Sequence, residues 1–170
     1  SDMEGYASIF ENMMFVDGSL AIKFGVQFGL FGGSIQKLGT KKHHDEYLTD
    51  AGSANLLGCF AMTETGHGSN VRGIKTTATY DHTTETLVIH TPGKNDRVHA
   101  ILVPLRNENH ELLPGIEVED NGYKLGLNGV DNGKIWFNQV SVPKVNLLNK
   151  YGTILGNGNY YSKIKNPNKR

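Results

Sequence analysis

The spacing of hydrophobic residues changes near residue 57. Before that point, apolar residues recur every three or four positions, which is typical of one face of a helix. In the first helix predicted in this way they are Tyr6, Ile9, Phe10, Met13 and Met14. Asp17 is suited to cap a second helix. Only Lys23 and Gln27 interrupt the apolar surface of that helix, so we expect it to be buried.

Two shorter helices are predicted before the change of period. The first covers residues 35–38, and Thr40 can cap the second. The second helix carries the adjacent pair His43 and His44. Adjacent residues on a helix point about 100° apart, and no cysteine or carboxylate pattern completes a metal site around them. We therefore expect both histidines on a solvated helix face, and no bound metal.

After residue 57 the hydrophobic period is two, which is typical of β-strands. Seven strands are predicted, and they cover residues 57–62, 74–80, 86–90, 100–105, 115–118, 123–127 and 134–142. A helical segment followed by a run of strands indicates an α+β fold. We predict part of a helical domain over residues 1–56, a mainly antiparallel β domain over 57–150, and a polar linker over 151–170 that leads to a further domain.

Composition and charge exclude several classes of protein. Of the 170 residues, 38% are hydrophobic and 20% are charged, as in ordinary globular proteins, and the formal net charge is +0, which argues against a nucleic-acid partner. The single cysteine, Cys59, excludes an internal disulfide, and we expect it to be a small buried hydrophobic residue. The sequence contains neither a signal peptide nor an apolar stretch long enough to cross a bilayer.

The candidate chemistry lies in residues 58–70, which read G-C-F-A-M-T-E-T-G-H-G-S-N. A predicted strand opens there into a loop of small polar side chains. Its glycines let the backbone approach a planar or anionic ligand closely. On its own the motif is more often an ordinary turn. A serine hydrolase is disfavoured, because the sequence lacks a G-x-S-x-G elbow around Ser69.

Several separated blocks resemble the acyl-CoA oxidases, which are flavoproteins of the acyl-CoA dehydrogenase superfamily. The matching blocks are residues 19–34, 38–44, 58–81, 113–116, 126–133 and 142–148. The resemblance implies a fragment of such an enzyme, with part of the N-terminal helical domain and a β-barrel-like middle domain. The C-terminal helical bundle of the family is expected to be absent.

The resemblance also implies a site for FAD and acyl-CoA. The residues that would contact FAD are Phe60, Ala61, Met62, Thr63, Gly66 and Gly68, with Thr63 as the main polar contact. Ser69 and Asn70 would contact the substrate. The glutamate base of the family lies in its C-terminal domain, so no catalytic residue is expected in this chain. Glu64 belongs to the loop motif and is not assigned as that base.

The implied reaction is the conversion of acyl-CoA to trans-2-enoyl-CoA in fatty-acid β-oxidation. O₂ or an electron-transfer flavoprotein would accept the electrons. The full-length enzyme would be a homodimer, peroxisomal in a eukaryote and cytoplasmic in a bacterium. The fragment alone is expected to be inactive.

One departure from the family keeps a second interpretation open. Members carry a further flavin-contacting block after the strand that corresponds to residues 86–91, whereas here residues 92–99 pass straight to the next strand. Either the block is truly deleted, or the chain joins across a segment that it does not include. The alternative function is therefore a non-catalytic β-domain scaffold that binds no flavin.

Overall fold

The computed structural model describes residues 3–66, 68–91 and 98–164. The chain forms two compact units. The helical unit comprises Ser1–Lys37, Lys41–Phe60 and Glu119–Lys134. The sheet unit comprises Leu38–Thr40, Ala61–Val118 and Ile135–Arg170.

The amino-terminal part of the chain is helical, as the sequence predicts. In chain order its elements are α1 (Met3–Val16), α2 (Gly18–Phe24), a π-helical segment (Gly25–Gly32), α3 (Gly33–Leu38), α4 (Lys41–His43), a second π-helical segment (His44–Leu48) and α5 (Thr49–Gly52). Asp17 caps α2, because its Oδ1 accepts hydrogen bonds from the backbone N–H groups of Ser19 at 2.8 Å and Leu20 at 3.2 Å.

The expectation that the second helix is buried is wrong for most of its length. Ala21 is fully buried, whereas Leu20 on α2 and Leu30 in the π-helical segment are about half exposed. The buried contacts are concentrated on one side, where the ring of Phe24 stacks on Tyr6 with centroids 5.3 Å apart. The same ring lies 4.7 Å from that of Phe28. Aromatic pairing therefore covers one face and leaves the other open.

His43 corrects a second expectation, because it is buried and not on a solvated face. Neighbouring helical residues diverge by about 100°, so a short helix can turn one member of a pair inward. In α4 the charged side chains of Lys41 and Lys42 are exposed, and His43 takes the inner position. The described residues contain no cluster of three or more His, Cys, Asp or Glu side chains that could hold a metal ion.

The sheet unit is built around a three-stranded antiparallel sheet. Its strands are β1 (Thr77–Asp81), β2 (Thr86–His90) and β5 (Val140–Pro143), in the order β1-β2-β5. In the register of β2 with β5, Leu87 pairs with Val142 and Ile89 pairs with Val140. These four side chains are buried together, so the alternation in T-L-V-I-H forms the core face as its period of two predicts.

The remaining strands form two separate pairs. They are β3 (Ile116–Asp120) with β4 (Gly133–Phe137), and β6 (Gly152–Ile154) with β7 (Tyr160–Ser162). The α+β class is confirmed. Over the described ranges the strands make sheets of three, two and two, with no closed barrel, so the barrel-like description is too specific.

Several predicted strands do not form, because neither an apolar run nor an alternating pattern guarantees a pairing partner. Residues 57–62 and 123–127 contain no strand, and Tyr123 is almost fully exposed. Residues 100–105 contribute only an isolated bridge between Ile101 and Leu147. The predicted strand over 134–142 divides into β4 and β5.

The stretch predicted to be a linker carries the β6–β7 hairpin. The backbone N–H of Leu155 donates to the carbonyl oxygen of Asn159 at 2.9 Å and closes the turn. Gly158 has a φ of 79°, which glycine adopts readily. The turn sequence L-G-N-G-N between two short β-prone runs accounts for the hairpin. No helix in the described ranges is long and apolar enough to span a membrane.

Candidate functional site

The predicted site lies on the connection between α5 and β1. Residues 57–63 form no regular secondary structure, and the side chains of Phe60, Met62 and Thr63 are exposed. Phe60 belongs to the helical unit, and residues 61–76 belong to the sheet unit. Each half of the connection is held by one polar side chain that binds the backbone.

In the helical unit, Gln27 holds the start of the connection. Its Nε2 donates to the carbonyl oxygens of Ala51 and Leu56, each at 2.9 Å. Its Oε1 accepts from the backbone N–H of Gly58 at 2.9 Å. Gly58 is required here, because a Cβ at that position would overlap the ring of Phe31. One amide side chain therefore satisfies three backbone groups.

In the sheet unit, Glu64 holds the other end. Its Oε2 accepts from the backbone N–H of Lys75 at 2.7 Å. Its Oε1 accepts from both the N–H and the hydroxyl of Thr76, each at 2.8 Å. The Oγ1 of Thr76 also lies 3.0 Å from the Oγ1 of Thr91, at the end of β2. Both carboxylate oxygens of Glu64 thus accept hydrogen bonds from Lys75 and Thr76.

Around Gly66 and Gly68 the described chain is open. Gly66 and Gly68 have no neighbouring heavy atom within 4 Å of where a Cβ would stand, and Ser69 is exposed. The side chain of Asn70 instead folds over the 3₁₀ turn Val71–Gly73, since a Cβ on Gly73 would lie 2.8 Å from its Nδ2. His67 lies outside the described residues.

The residues present fit the edge and face of a flavin ring. Across the described part of the chain, the backbone groups of residues 60–63 have no hydrogen-bond partner. The exposed hydroxyl of Thr63 adds a further donor, and the open glycines permit close approach of a planar ligand. Backbone N–H groups and one hydroxyl are the groups that hydrogen-bond the polar ring atoms of a flavin and tune its electronics.

Cys59 is exposed, which corrects the expectation of a buried residue. The reason is that its segment pairs with no strand and so packs in no sheet. Surrounding atoms still keep water from part of the thiol. This desolvation raises the pKa of Cys59, against a smaller lowering by a backbone hydrogen bond. The thiol is therefore less reactive at neutral pH than an ordinary cysteine.

The hydrogen-bonding roles of Gln27, Glu64, Thr76 and Thr91 are not predicted by the sequence. A weak signal exists for Gln27, which is one of two polar residues in an apolar helix. Thr76 and Thr91 give none, because both lie in threonine-rich β-prone runs.

A separate cleft of about 340 Å³ lies within the sheet unit. It is lined by β1, β2 and the β6–β7 hairpin, with Tyr80, Leu87 and Tyr160 among its walls. The rings of His99 and Tyr160 meet edge to face at one side, with centroids 4.5 Å apart. None of the residues predicted to bind FAD or acyl-CoA lines this cleft.

Comparison with known proteins finds relatives along nearly the whole chain, although no family model matches it. The peroxisomal acyl-coenzyme A oxidase 2 of Arabidopsis thaliana is 42% identical over 204 residues, covering 99% of this chain and 30% of the relative. The chain thus spans less than a third of the length of that protein. The matched stretch also exceeds the 170 residues of the chain, so the relative carries residues there that this chain lacks.

Solved structures of the same class share the fold. Acyl-CoA oxidase 3 from Yarrowia lipolytica superposes with a TM-score of 0.88 at 34% identity, covering 95% of this chain and 28% of that one. Acyl-CoA oxidase-1 of Caenorhabditis elegans, solved in complex with FAD and ATP, has a TM-score of 0.76 at 31% identity, covering 81% of this chain and 25% of that one.

Proposed function

We propose that the chain, which belongs to the acyl-CoA oxidase family, forms part of a flavin-dependent acyl-CoA oxidase. It spans 30% of the length of the Arabidopsis thaliana relative. The full enzyme would convert acyl-CoA to trans-2-enoyl-CoA in fatty-acid β-oxidation. The observation that carries the proposal is the exposure of residues 60–63 and the open glycines at 66 and 68, in a chain 42% identical to a peroxisomal member.

In this proposal residues 60–63 and the glycines at 66 and 68 hold FAD. Bound FAD supplies the acceptor for the hydride that leaves the β-carbon of the acyl chain. Thr63 would offer its hydroxyl and N–H to polar atoms of the ring, because such donors stabilise negative charge. Phe60 and Met62 cover apolar surface of the ring and exclude water. Ser69, with Asn70, contacts the acyl-CoA.

The base that removes the α-proton is assigned to no residue of this chain. Glu64 is unsuited to that role because its two oxygens already accept three hydrogen bonds. We expect the base in the C-terminal domain of the parent enzyme, and we expect this chain alone to be inactive. For the parent enzyme we propose a homodimer with O₂ or an electron-transfer flavoprotein as acceptor, located in peroxisomes in a eukaryote and in the cytoplasm in a bacterium.

Titration of the purified chain with FAD tests the proposal. Flavin fluorescence is expected to fall on binding, because the ring stacks against protein groups. Thr63→Ala is expected to weaken binding about tenfold, as the loss of a buried hydrogen bond to a ligand does. Thr79→Ala, which removes an exposed threonine of β1, is the matched control and should bind like the wild type. Equal affinity of the Thr63→Ala variant and the wild type would refute the role of Thr63.

A non-catalytic scaffold is the second candidate function. It is favoured by one observation, namely that the Arabidopsis relative has residues within the matched stretch that this chain lacks. If the wild-type chain stays colourless and takes up no added FAD while its circular dichroism spectrum is that of a folded protein, the scaffold is the correct assignment.

A further inference from the structure

The carboxylate of Glu64 accepts three hydrogen bonds from groups of the protein. Its oxygens receive the backbone N–H groups of two consecutive residues, Lys75 and Thr76, and the hydroxyl of Thr76. The distances of 2.7 to 2.8 Å are those of charge-assisted hydrogen bonds, which are stronger than neutral ones. The carboxylate thus links Glu64 to Lys75 and Thr76, which lie 11 and 12 residues further along the chain. These bonds close the loop that contains Ser69.

The contacts continue from the loop into the sheet. Because the Thr76 hydroxyl donates its only proton to Glu64, it must accept from the hydroxyl of Thr91, 3.0 Å away. The backbone N–H of Thr91 in turn donates to the carbonyl oxygen of Phe137 on β4 at 3.0 Å. All of these groups lie in the sheet unit. The loop is therefore fastened to the ends of β1, β2 and β4 through one carboxylate.

We propose that Glu64 is a positioning residue that holds Ser69 for the acyl-CoA substrate. The three hydrogen bonds from Lys75 and Thr76 to Glu64 are called the clasp below. The identity of the ligand rests on the proposed function, whereas the clasp rests on these hydrogen bonds alone. The geometry explains why glutamate is needed at this position. Glutamine has one acceptor oxygen and an NH₂ group that would face an N–H donor, and aspartate is one methylene shorter.

Hydrogen exchange of the full chain, without ligand, tests the clasp. Glu64→Gln is expected to speed the exchange of the Lys75 and Thr76 amides about tenfold or more, because two charge-assisted bonds are weakened. Residues 68–73 should exchange faster as well, while the amides of β2 keep their rates. Glu117→Gln removes an exposed carboxylate of β3 and is the matched control.

Substitutions at Thr76 separate this role from general stability. Thr76→Ser keeps the hydroxyl and is expected to exchange like the wild type. Thr76→Ala loses the hydroxyl bond but keeps both backbone bonds to Glu64, so it should speed exchange less than Glu64→Gln does. The clasp is refuted if Glu64→Gln leaves the exchange of residues 68–76 unchanged, or if the acceleration spreads equally over β2.

Binding of butyryl-CoA to the FAD-treated chain, followed by calorimetry, tests the consequence for substrate. Glu64→Gln is expected to raise the Kd several-fold, with Glu117→Gln equal to the wild type. Equal Kd values for all three proteins would overturn the positioning role. If the wild type itself binds no butyryl-CoA, the proposed function fails and the role toward substrate fails with it, while the exchange rates still decide whether the clasp exists.

Discussion

The three-stranded sheet and the connection over residues 57–76 are stabilised in opposite ways. In the sheet, Leu87 and Ile89 of β2 are buried against Val140 and Val142 of β5. In the connection no apolar side chain of residues 57–63 is buried, and polar side chains hold the backbone at each end. Gln27 holds the start of the connection from outside the segment, and Glu64 holds its far end from within it. Hydrogen bonds, and not apolar packing, therefore set the position of this segment.

The largest effect is expected in the sheet. Leu87→Ala removes a buried side chain at the centre of the core and should lower the free energy of unfolding by about 2–5 kcal/mol. Urea denaturation followed by circular dichroism measures it. The same truncation of the exposed Leu57 should cost much less, and equal losses at the two positions would contradict the contrast between sheet and connection.

An intermediate effect is expected at the start of the connection. Gln27→Leu removes the partners of two carbonyl groups and one N–H, and should cost about 1–3 kcal/mol. The only cysteine gives a local measurement, because loosening its segment should relax the raised pKa of Cys59 and speed its alkylation by iodoacetamide at pH 8. Gln36→Leu, at an exposed position of α3, is the control and should leave the alkylation rate unchanged.

The smallest effect is expected at an exposed ion pair of the helical unit. Lys23 Nζ lies 2.7 Å from Asp131 Oδ2, and its hydrogen bond and charge lower the pKa of Asp131. Since the pKa is lower in the folded state, the pair stabilises the protein above the ordinary carboxyl pKa. That contribution is lost as the pH falls through the lowered value.

Thermal unfolding of Lys23→Ala against the wild type measures this pair. The small difference in Tm at pH 7 should diminish as the pH falls below the ordinary carboxyl pKa. It should also shrink in 1 M NaCl, because salt screens exposed charges. A difference in Tm that grows on acidification would show that the sign of the linkage is wrong.

The sequence predicts those features that depend on neighbours along the chain. The alternation in β2 and the cap at Asp17 involve residues within one element, and both are confirmed. Residues 57–62 form a short apolar run that also predicts a strand, yet no strand forms, because the pattern does not report whether a second strand is available to pair with it. The bonds from Gln27 to Gly58 and from Thr76 to Thr91 join residues 31 and 15 positions apart, which no local pattern reveals.

The exposed apolar side chains of the connection also affect solubility. Leu57 is 78% exposed, and Phe60 and Met62 are 40% and 45% exposed, beside backbone groups that pair with no strand. Such a surface is prone to self-association when nothing covers it. A ligand that covered it would keep the chain dispersed as well as supply chemistry. Loss of that ligand would therefore appear first as precipitation of a protein whose sheet is still folded.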